Sequence, residues 1–302
     1  MDRTRVVPVI APPTPLRGGW LPDYPDVRDY TPASPAVTAL TARTGVEAVR
    51  RSGLPTRVDL REWCSPIETQ GPLNSCTAHG AVALVEYFER RSFGRHVDAS
   101  RLFVYKVSRD LLGWRGDSGS HLRTPMTVLN RFGAAPEKYW PYVVPYFDVE
   151  PPAFVYALAA NFQTLVYYRL DRFEDPREEV IERVRSHLAS GIPTLIGVWT
   201  FVEMLNPALR GKVPYPAENE LFYQTHAMAT VGYDDEMEIR NPLNNLTTVG
   251  AFLLRNSWGG RWGEEGYGWL PYEYARQYLA HDFWVILKSE WVDSGRFSSD
   301  SL

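Results

Sequence analysis

The sequence predicts an α+β fold, mainly helical in the first half of the chain and strand-rich in the second. Apolar residues recur at helical spacing after Cys76, at Ala81, Leu84, Val85 and Phe88. Runs of β-branched and aromatic residues, each of strand length, come mostly after residue 160. Because helices come first and strands later, we expect two packed halves of different character rather than alternating βαβ units.

Bulk composition narrows the class of protein. The chain has 302 residues, of which 44% are hydrophobic, so it is long enough to bury a sizeable core. Its net charge is -4 and no cluster of lysines or arginines stands out, so we expect no nucleic-acid partner. No segment is apolar enough to span a membrane, and prolines interrupt the N-terminus where a signal peptide needs an apolar run. The sequence therefore predicts a cytoplasmic protein without a membrane partner, and it indicates no particular oligomeric state.

Residues 1–53 are predicted to form a proline-rich N-terminal arm and linker. The first 36 residues contain eight prolines, which exclude long helices and central strands, at positions 8, 12, 13, 15, 22, 25, 32 and 35. The aromatic side chains of Trp20, Tyr24 and Tyr30 indicate that this extended arm covers a surface. It can pack on the outside of the domain or over an active-site cleft. Packing on the outside of the domain is favoured, because no sequence feature near this arm indicates that it lies over a cleft.

The segment 54–290 is predicted to be the main domain, with a helical half at about 54–160. After a strand and loop at 54–69, a helix begins at Cys76, where Asn74 or Ser75 can cap it. Further helices are predicted at 97–112, 121–133 and 176–190, and Gly191 and Pro193 end the last of these. A short helix or linker precedes the domain at 37–53.

The half at about 161–290 is predicted to be a β-sheet or barrel-like unit, with the active-site cleft between the two halves. Its strands are expected at 163–168, 194–198, 227–233, 250–255, 267–270 and 283–287. Residues 291–302 are predicted to be a C-terminal tail.

Three residue types in a fixed chain order predict the chemistry. Cys76 is followed far downstream by His226 and then by Asn256, the layout of a cysteine nucleophile with a base and an orienting group. A lone cysteine on an apolar helix is more often a small buried hydrophobe. Here, however, the helix N-terminus and a His226 imidazolium would lower the pKa of the thiol. The Asn256 amide oxygen can accept the other imidazole N–H, and the Gln70 amide can join the Cys76 backbone N–H as an oxyanion donor.

The remaining cysteine and histidines are predicted to be inert. Because Cys76 is assigned to catalysis, Cys64 has no disulfide partner and is expected to be a packed thiol, which favours a reducing compartment. His79 should point away from the cleft and is interpreted as structural or surface. No His, Cys or carboxylate spacing resembles a metal site, so we expect neither a metal nor a cofactor.

Several motifs in the right order resemble the papain-like cysteine peptidases. The family pattern Gln-Gly-x-x-x-Ser-Cys corresponds to Gln70–Cys76, and His-Ala-x-x-x-Val-Gly-Tyr corresponds to the segment from His226 to Tyr233. The family's Asn-Ser-Trp-Gly, with a trailing Trp-Gly and Gly-Tyr, corresponds to the segment from Asn256 to Tyr267. The resemblance covers roughly residues 55–290. Leu73 stands where the family usually has a disulfide-bonded cysteine, so the chain resembles a bacterial-looking variant without the usual disulfides.

The resemblance implies a papain-like fold and a role for each matched residue. Cys76 would be the nucleophile, His226 the general base and then acid, Asn256 the orienting residue and Gln70 the oxyanion donor. It also implies that the residues binding an extended peptide or protein substrate are Ser118, Gly119 and Trp258. Thr77 replaces the family's usual tryptophan next to the nucleophile without removing a catalytic group.

Three functions remain open at this level. The first is a cysteine endopeptidase that hydrolyses peptide bonds through a thioester acyl-enzyme. The second is an amide ligase or transpeptidase, in which an amine, rather than water, attacks the same thioester, so that an amide-linked small molecule is also a conceivable substrate. The third is a catalytically silent peptide-binding module, which the complete set of four catalytic residues argues against. The choice between water and an amine depends on the shape of the cleft.

Overall fold

The computed structural model describes residues 17–163 and 166–297. Within these residues the principal α-helices are α1 (Pro35–Thr41), α2 (Val46–Ser52), α3 (Cys76–Phe93), α4 (Arg101–Leu111), α5 (Arg123–Arg131), α6 (Ala153–Ala159), α7 (Arg177–Ala189), α8 (Tyr272–Arg276) and α9 (Ser289–Val292). The predicted helices at 97–112, 121–133 and 176–190 correspond to α4, α5 and α7. The segment 37–53, predicted to be a short helix or linker, overlaps α1 and contains α2.

The strands form one large sheet and one small one. They are β1 (Trp20–Leu21), β2 (Arg57–Asp59), β3 (Ser120–His121), β4 (Val166–Arg169), β5 (Thr194–Phe201), β6 (Phe222–Arg240), β7 (Thr247–Arg255), β8 (Tyr267–Pro271) and β9 (Ala280–Leu287). The large antiparallel sheet has the order β4-β9-β5-β6-β7-β8, with β2 paired to β6. In the small sheet β1 lies parallel to β3. Of the strand predicted at 163–168, residues 164 and 165 lie outside the described part.

Helix α3 is the element on which both halves pack. It contacts α4 and α5 on the helical side and β5 and β6 on the sheet side. Gly80 allows this approach, because a Cβ there would lie 2.3 Å from the Leu195 side chain of β5. Neither predicted cap is formed: the Ser75 hydroxyl bonds to Tyr142, and the Asn74 amide bonds to the Asp117 carbonyl. Burial of an apolar face, rather than a side-chain cap, therefore holds the start of α3.

The C-terminal segment is packed against the same helix. The Trp291 ring stacks on Phe88 of α3 with centroids 4.9 Å apart, and Phe297 lies against Phe88 as well. Both C-terminal rings are almost completely buried. Residues 289–297 therefore extend the core of the helical half. In the part of the chain described by the structure, no helix is both long and apolar enough to cross a membrane.

Candidate active site

His226 and Asn256 are in direct contact, and the Cys76 thiol lies against the backbone N–H of Ala227, the residue after His226. Within the described residues, His226 Nδ1 has no hydrogen-bond partner. Cys76 is the first residue of α3, His226 lies in β6, and Asn256 directly follows β7. The Asn256 Oδ1 atom lies 2.7 Å from His226 Nε2 and accepts the Ser257 backbone N–H, also at 2.7 Å. Because a backbone N–H can only donate, this side of the amide must be the oxygen, and His226 Nε2 must carry the ring proton. The neutral His226 ring therefore has its lone pair on Nδ1, as a general base requires.

The His226–Asn256 pair is shielded by an aromatic ring. Trp258 stacks on His226 with ring centroids 4.5 Å apart and an angle of 23° between the planes. His226 is completely buried, and Asn256 and Trp258 nearly so. A dry surrounding strengthens the imidazole–amide hydrogen bond and holds the ring in one orientation.

Gln70 is held by its own network. Its Oε1 accepts the Ser257 hydroxyl at 2.6 Å, which directs Nε2 away from that contact. Nε2 donates to the Leu73 carbonyl at 2.7 Å and to the Gly18 carbonyl at 3.3 Å. The predicted oxyanion donor is therefore already pointing at a main-chain carbonyl oxygen.

One of the two carbonyls that accept from Gln70 Nε2, that of Gly18, belongs to the N-terminal arm, which crosses the cleft. The favoured expectation, an arm on the outer surface of the domain, is wrong for residues 17–23. The Gly19 N–H donates to the Thr225 carbonyl, the Gly19 carbonyl accepts the Ser120 N–H, and the Trp20 carbonyl accepts the Thr225 hydroxyl. The arm thus lies between the helical half and β6 as an extended strand, because two adjacent glycines let its backbone come close to both walls.

Two of the three predicted substrate-binding residues, Gly119 and Trp258, contact this arm. A Cβ on Gly119, whose φ is +75°, would lie 2.1 Å from the Gly19 oxygen, so glycine is required at this approach. The N–H of Gly119 donates to the Tyr105 hydroxyl, and the hydrogen bond to the arm comes instead from Ser120. Ser118 donates its hydroxyl to the Gly119 carbonyl. Trp258 Nε1 donates to the Arg17 carbonyl at 2.8 Å.

The Trp20 side chain fills a pocket beside the cleft. It is completely buried, and its Nε1 donates to Asp282 at 3.2 Å, while the His281 ring meets it edge-on at 4.8 Å. The Gly197 backbone forms one wall, where an added Cβ would lie 2.0 Å from the indole. Asp23 also attaches the arm to the domain. Its backbone N–H donates to Asp282, and its carboxylate accepts the Trp284 indole N–H.

Comparison with known proteins identifies the family. The model of the papain family cysteine proteases matches residues 54–282. The chain belongs to the papain family of cysteine proteases. It is 33% identical over 235 residues to an uncharacterised peptidase C1-like protein of Acanthamoeba polyphaga mimivirus, covering 76% of this chain and 71% of the relative. The crystal structure of xylellain, a cysteine protease from Xylella fastidiosa, matches with a TM-score of 0.70 at 31% identity, covering 90% of this chain and 96% of that one.

Papain-family membership confirms the predicted α+β fold and makes the chain a cysteine peptidase. A procathepsin B of Trypanosoma congolense, at 15% identity, shares the fold with a TM-score of 0.64. Both cysteines of this protease are free, as expected for a family member without the usual disulfides. Within the described residues, no group of three or more His, Cys, Asp or Glu side chains is arranged to hold a metal ion.

With the arm in the cleft, the charge state of Cys76 and His226 differs from the expected thiolate–imidazolium pair. Burial raises the pKa of the Cys76 thiol to about 12, although the backbone N–H groups of Ala227, Thr77 and Trp20 favour its anion. Burial lowers the pKa of His226 to about 4, and the hydrogen bond to Asn256 only partly opposes this. Both groups are therefore neutral near pH 7 in this buried site.

Sequence reasoning missed several residues of the protease cleft. Thr225 forms hydrogen bonds with the arm backbone, and the Ser257 hydroxyl orients Gln70. The absence of a side chain at Gly197 leaves space for the Trp20 indole. One signal was available in the sequence, since Gly18-Gly19 directly before Trp20 is typical of a backbone that must approach another backbone closely. His79, interpreted as structural or surface, is buried near the cleft.

Proposed function

We propose that this papain-family protease hydrolyses peptide bonds of extended peptide or protein segments through a Cys76 thioester. One observation supports this most directly. An extended segment of the chain itself, Gly18 to Trp20, lies along the cleft through main-chain hydrogen bonds, with a carbonyl oxygen at Gln70 Nε2. A cleft that binds a backbone in this way suits recognition of a peptide strand.

The proposed steps assign one role to each residue. His226 Nδ1 takes the proton of the Cys76 thiol, and sulfur attacks the carbonyl carbon of the substrate. Gln70 Nε2 donates to the resulting oxyanion. The C–N bond then breaks, and the leaving amine takes the proton from His226. Water attacks the thioester with His226 as base, which releases the acid and restores the thiol. Asn256 holds the ring with Nε2 protonated throughout.

We also propose a division of labour along the chain. Residues 54–290 are the catalytic domain, residues 1–53 are the N-terminal arm and linker, and residues 291–302 are the C-terminal tail. The two cysteines, both buried and unpaired, support a cytoplasmic location.

The test compares the two cysteines in a full-length W20A background, in which loss of the fully buried indole loosens the arm. C76A should abolish turnover of a fluorogenic peptide library, whereas the matched variant C64A should retain it. Cys64 is a suitable control because it is likewise a free, buried thiol, and it donates to the Leu60 carbonyl. An epoxide thiol reagent should label Cys76 and not Cys64. Equal labelling of both thiols, or turnover by C76A, would show the assignment to be wrong.

Product formed only with added amines would establish aminolysis instead of hydrolysis.

A further inference from the structure

A small cavity lies beside Asn256. Its volume is about 10 Å³, room for about one water molecule, and it is lined by residues of α3, by Ala227 and Met228 within β6 and by the end of β7. His79 contributes from α3, one turn after the proposed nucleophile, and Asn256 contributes from the opposite wall. The polar lining also includes Glu68, Glu86 and Arg101, together with Arg255 and Ser257.

Three buried polar atoms of this lining have no hydrogen-bond partner within the described residues. They are Nε2 of His79, Nδ2 of Asn256 and Nε of Arg101. All three side chains are at least nine-tenths buried. A buried polar group without a partner is energetically costly, so three at one cavity indicate a shared partner inside it.

The donors and acceptors of these atoms are complementary. Nδ1 of His79 lies 3.1 Å from the Ser75 carbonyl, which can only accept, so Nδ1 carries the ring proton. Burial, reinforced by the nearby Arg101 charge, lowers the pKa of His79 to about 3, and the ring stays neutral. Nε2 of His79 is therefore an acceptor. Nδ2 of Asn256 is a donor, because Oδ1 of the same amide faces His226 and Ser257.

We propose that His79 is a positioning residue for catalysis, whose Nε2 accepts the free N–H of Asn256 through one water molecule bound in this cavity. The water accepts from Asn256 Nδ2 and Arg101 Nε and donates to His79 Nε2 and to a lining carboxylate, that of Glu86 or Glu68. This arrangement satisfies two donors and two acceptors, the number that one water provides. An anion fits less well, since it cannot donate to His79 or to a carboxylate.

For the reaction, the consequence of this water is that the side-chain amide of Asn256 is held in one orientation. If the Asn256 amide turned over, its NH₂ would face His226 Nε2–H and the Ser257 N–H, and all three groups would be donors. A water held by His79 favours the amide orientation that puts Oδ1 on His226, and thereby keeps the imidazole lone pair on Nδ1. This inference rests on the proposed function only for its kinetic effect.

The first test reads the ring protons directly in the full-length protein by NMR of ring-¹⁵N-labelled histidine. We expect Nε2 of His79 to be an unprotonated, hydrogen-bonded acceptor and Nε2–H of His226 to exchange slowly with solvent. In H79F the His226 Nε2–H signal should shift and exchange faster. A proton on His79 Nε2, or an unchanged His226 signal in H79F, would overturn the proposal.

The second test measures turnover in the full-length W20A background, with His187 as a matched control. His187 is also a buried neutral histidine on a helix, with Nδ1 on a carbonyl, but its Nε2 is paired with Tyr168 away from the cleft. We expect H79F to lower kcat about tenfold, the lower end of the 10–100-fold loss caused by removing a partner that orients a metal-bound histidine, with KM unchanged and the acidic limb of the pH–rate profile shifted. H79Q keeps an acceptor near the position of Nε2 and should recover most of kcat.

H187F should lower thermal stability and leave both kcat and the pH profile unchanged. If H79F behaves like H187F, His79 is merely structural and the proposal fails. If the W20A protein turns over no peptide, the proposed function fails, and the NMR result alone then decides the role of His79.

Discussion

At the scale of single residues, Gly197 gives the Trp20 indole its place in the cleft. Strand β5 runs beside the pocket, and any side chain at this position would enter the space of the ring. Asp282 then selects the orientation of the indole by accepting its N–H. The missing Cβ at Gly197 and the carboxylate of Asp282 therefore determine where the Trp20 indole docks and how it is oriented.

We predict that G197A expels Trp20 and uncovers the thiol. An added Cβ 2.0 Å from the indole cannot coexist with it, and overpacking of about 1–3 kcal/mol corresponds to roughly a tenfold rise in the labelling rate of Cys76. Mass spectrometry after a short exposure to iodoacetamide measures this rate. G260A, where a Cβ meets open space, is the control and should label like the wild type. An unchanged rate in G197A would contradict the assigned role of this pocket.

At the scale of elements, the short strand β1 is held by a cluster of charges beyond it. Asp23 faces Asp282, Arg123 and Arg169, and Asp282 in turn contacts Arg169 and His281. Burial, followed by the nearby Asp282 charge, raises the pKa of Asp23 from 3.8 to about 7, while the pKa of Asp282 is lowered. Of the two carboxyl groups, Asp23 therefore takes the proton when the arm is docked.

This cluster makes arm docking pH-dependent. The docked arm holds a proton that the free arm releases above pH 3.8, so docking is strongest below that pH and weakens as the pH rises to about 7. Each pH unit within this window changes the docking equilibrium by at most about tenfold. The arm should therefore loosen toward neutral pH.

The measurement compares wild-type protein with D23N, a permanently neutral variant whose amide oxygen can still accept the Trp284 N–H. The ratio of their Cys76 labelling rates cancels the titration of the thiol itself. We expect the wild type to label increasingly faster than D23N as the pH rises from about 4 to 7. A ratio that stays flat or falls over this range would refute the assignment.

At the scale of the whole molecule, the arm and the C-terminal segment tie the two halves together. Trp20 lies between β3 of the helical half and β5 of the sheet half, and Arg123 of α5 pairs with Asp29 of the arm. At the other end of the chain, Trp291 packs on α3 after leaving the sheet. Residues 17–30 and 289–297 therefore both contribute to the stability of the domain.

We predict that deletion of residues 1–30 raises peptide turnover and lowers stability together. Removing a fully buried indole costs about 3–5 kcal/mol of unfolding free energy, and it also opens the cleft. Urea denaturation and a fluorogenic peptide assay measure the two effects. Y24A is the matched control, because this arm aromatic is 79% exposed and should change neither quantity. A gain in turnover without lost stability would show that the arm is a plug that contributes nothing to the fold.

Much of the fold and of the site could be predicted because it depends on local patterns. The apolar spacing after Cys76 predicts α3, and the order of Cys76, His226 and Asn256 predicts a thiol chemistry. Element ends were less predictable, since β6 runs from Phe222 to Arg240, well beyond the predicted 227–233. Pairing with three other strands extends it, and such pairing is a long-range property.

The sequence by itself determined the papain-family motifs, the order of the four proposed catalytic residues and the α+β class, because each depends on residue type and spacing along the chain. Only the tertiary structure decided that Gly18 to Trp20 lie in the cleft, that Cys76 and His226 are neutral there, and that His79 shares a cavity with Asn256. These depend on burial and on contacts between residues more than a hundred positions apart, and hydrophobic periodicity carries no information about such distances.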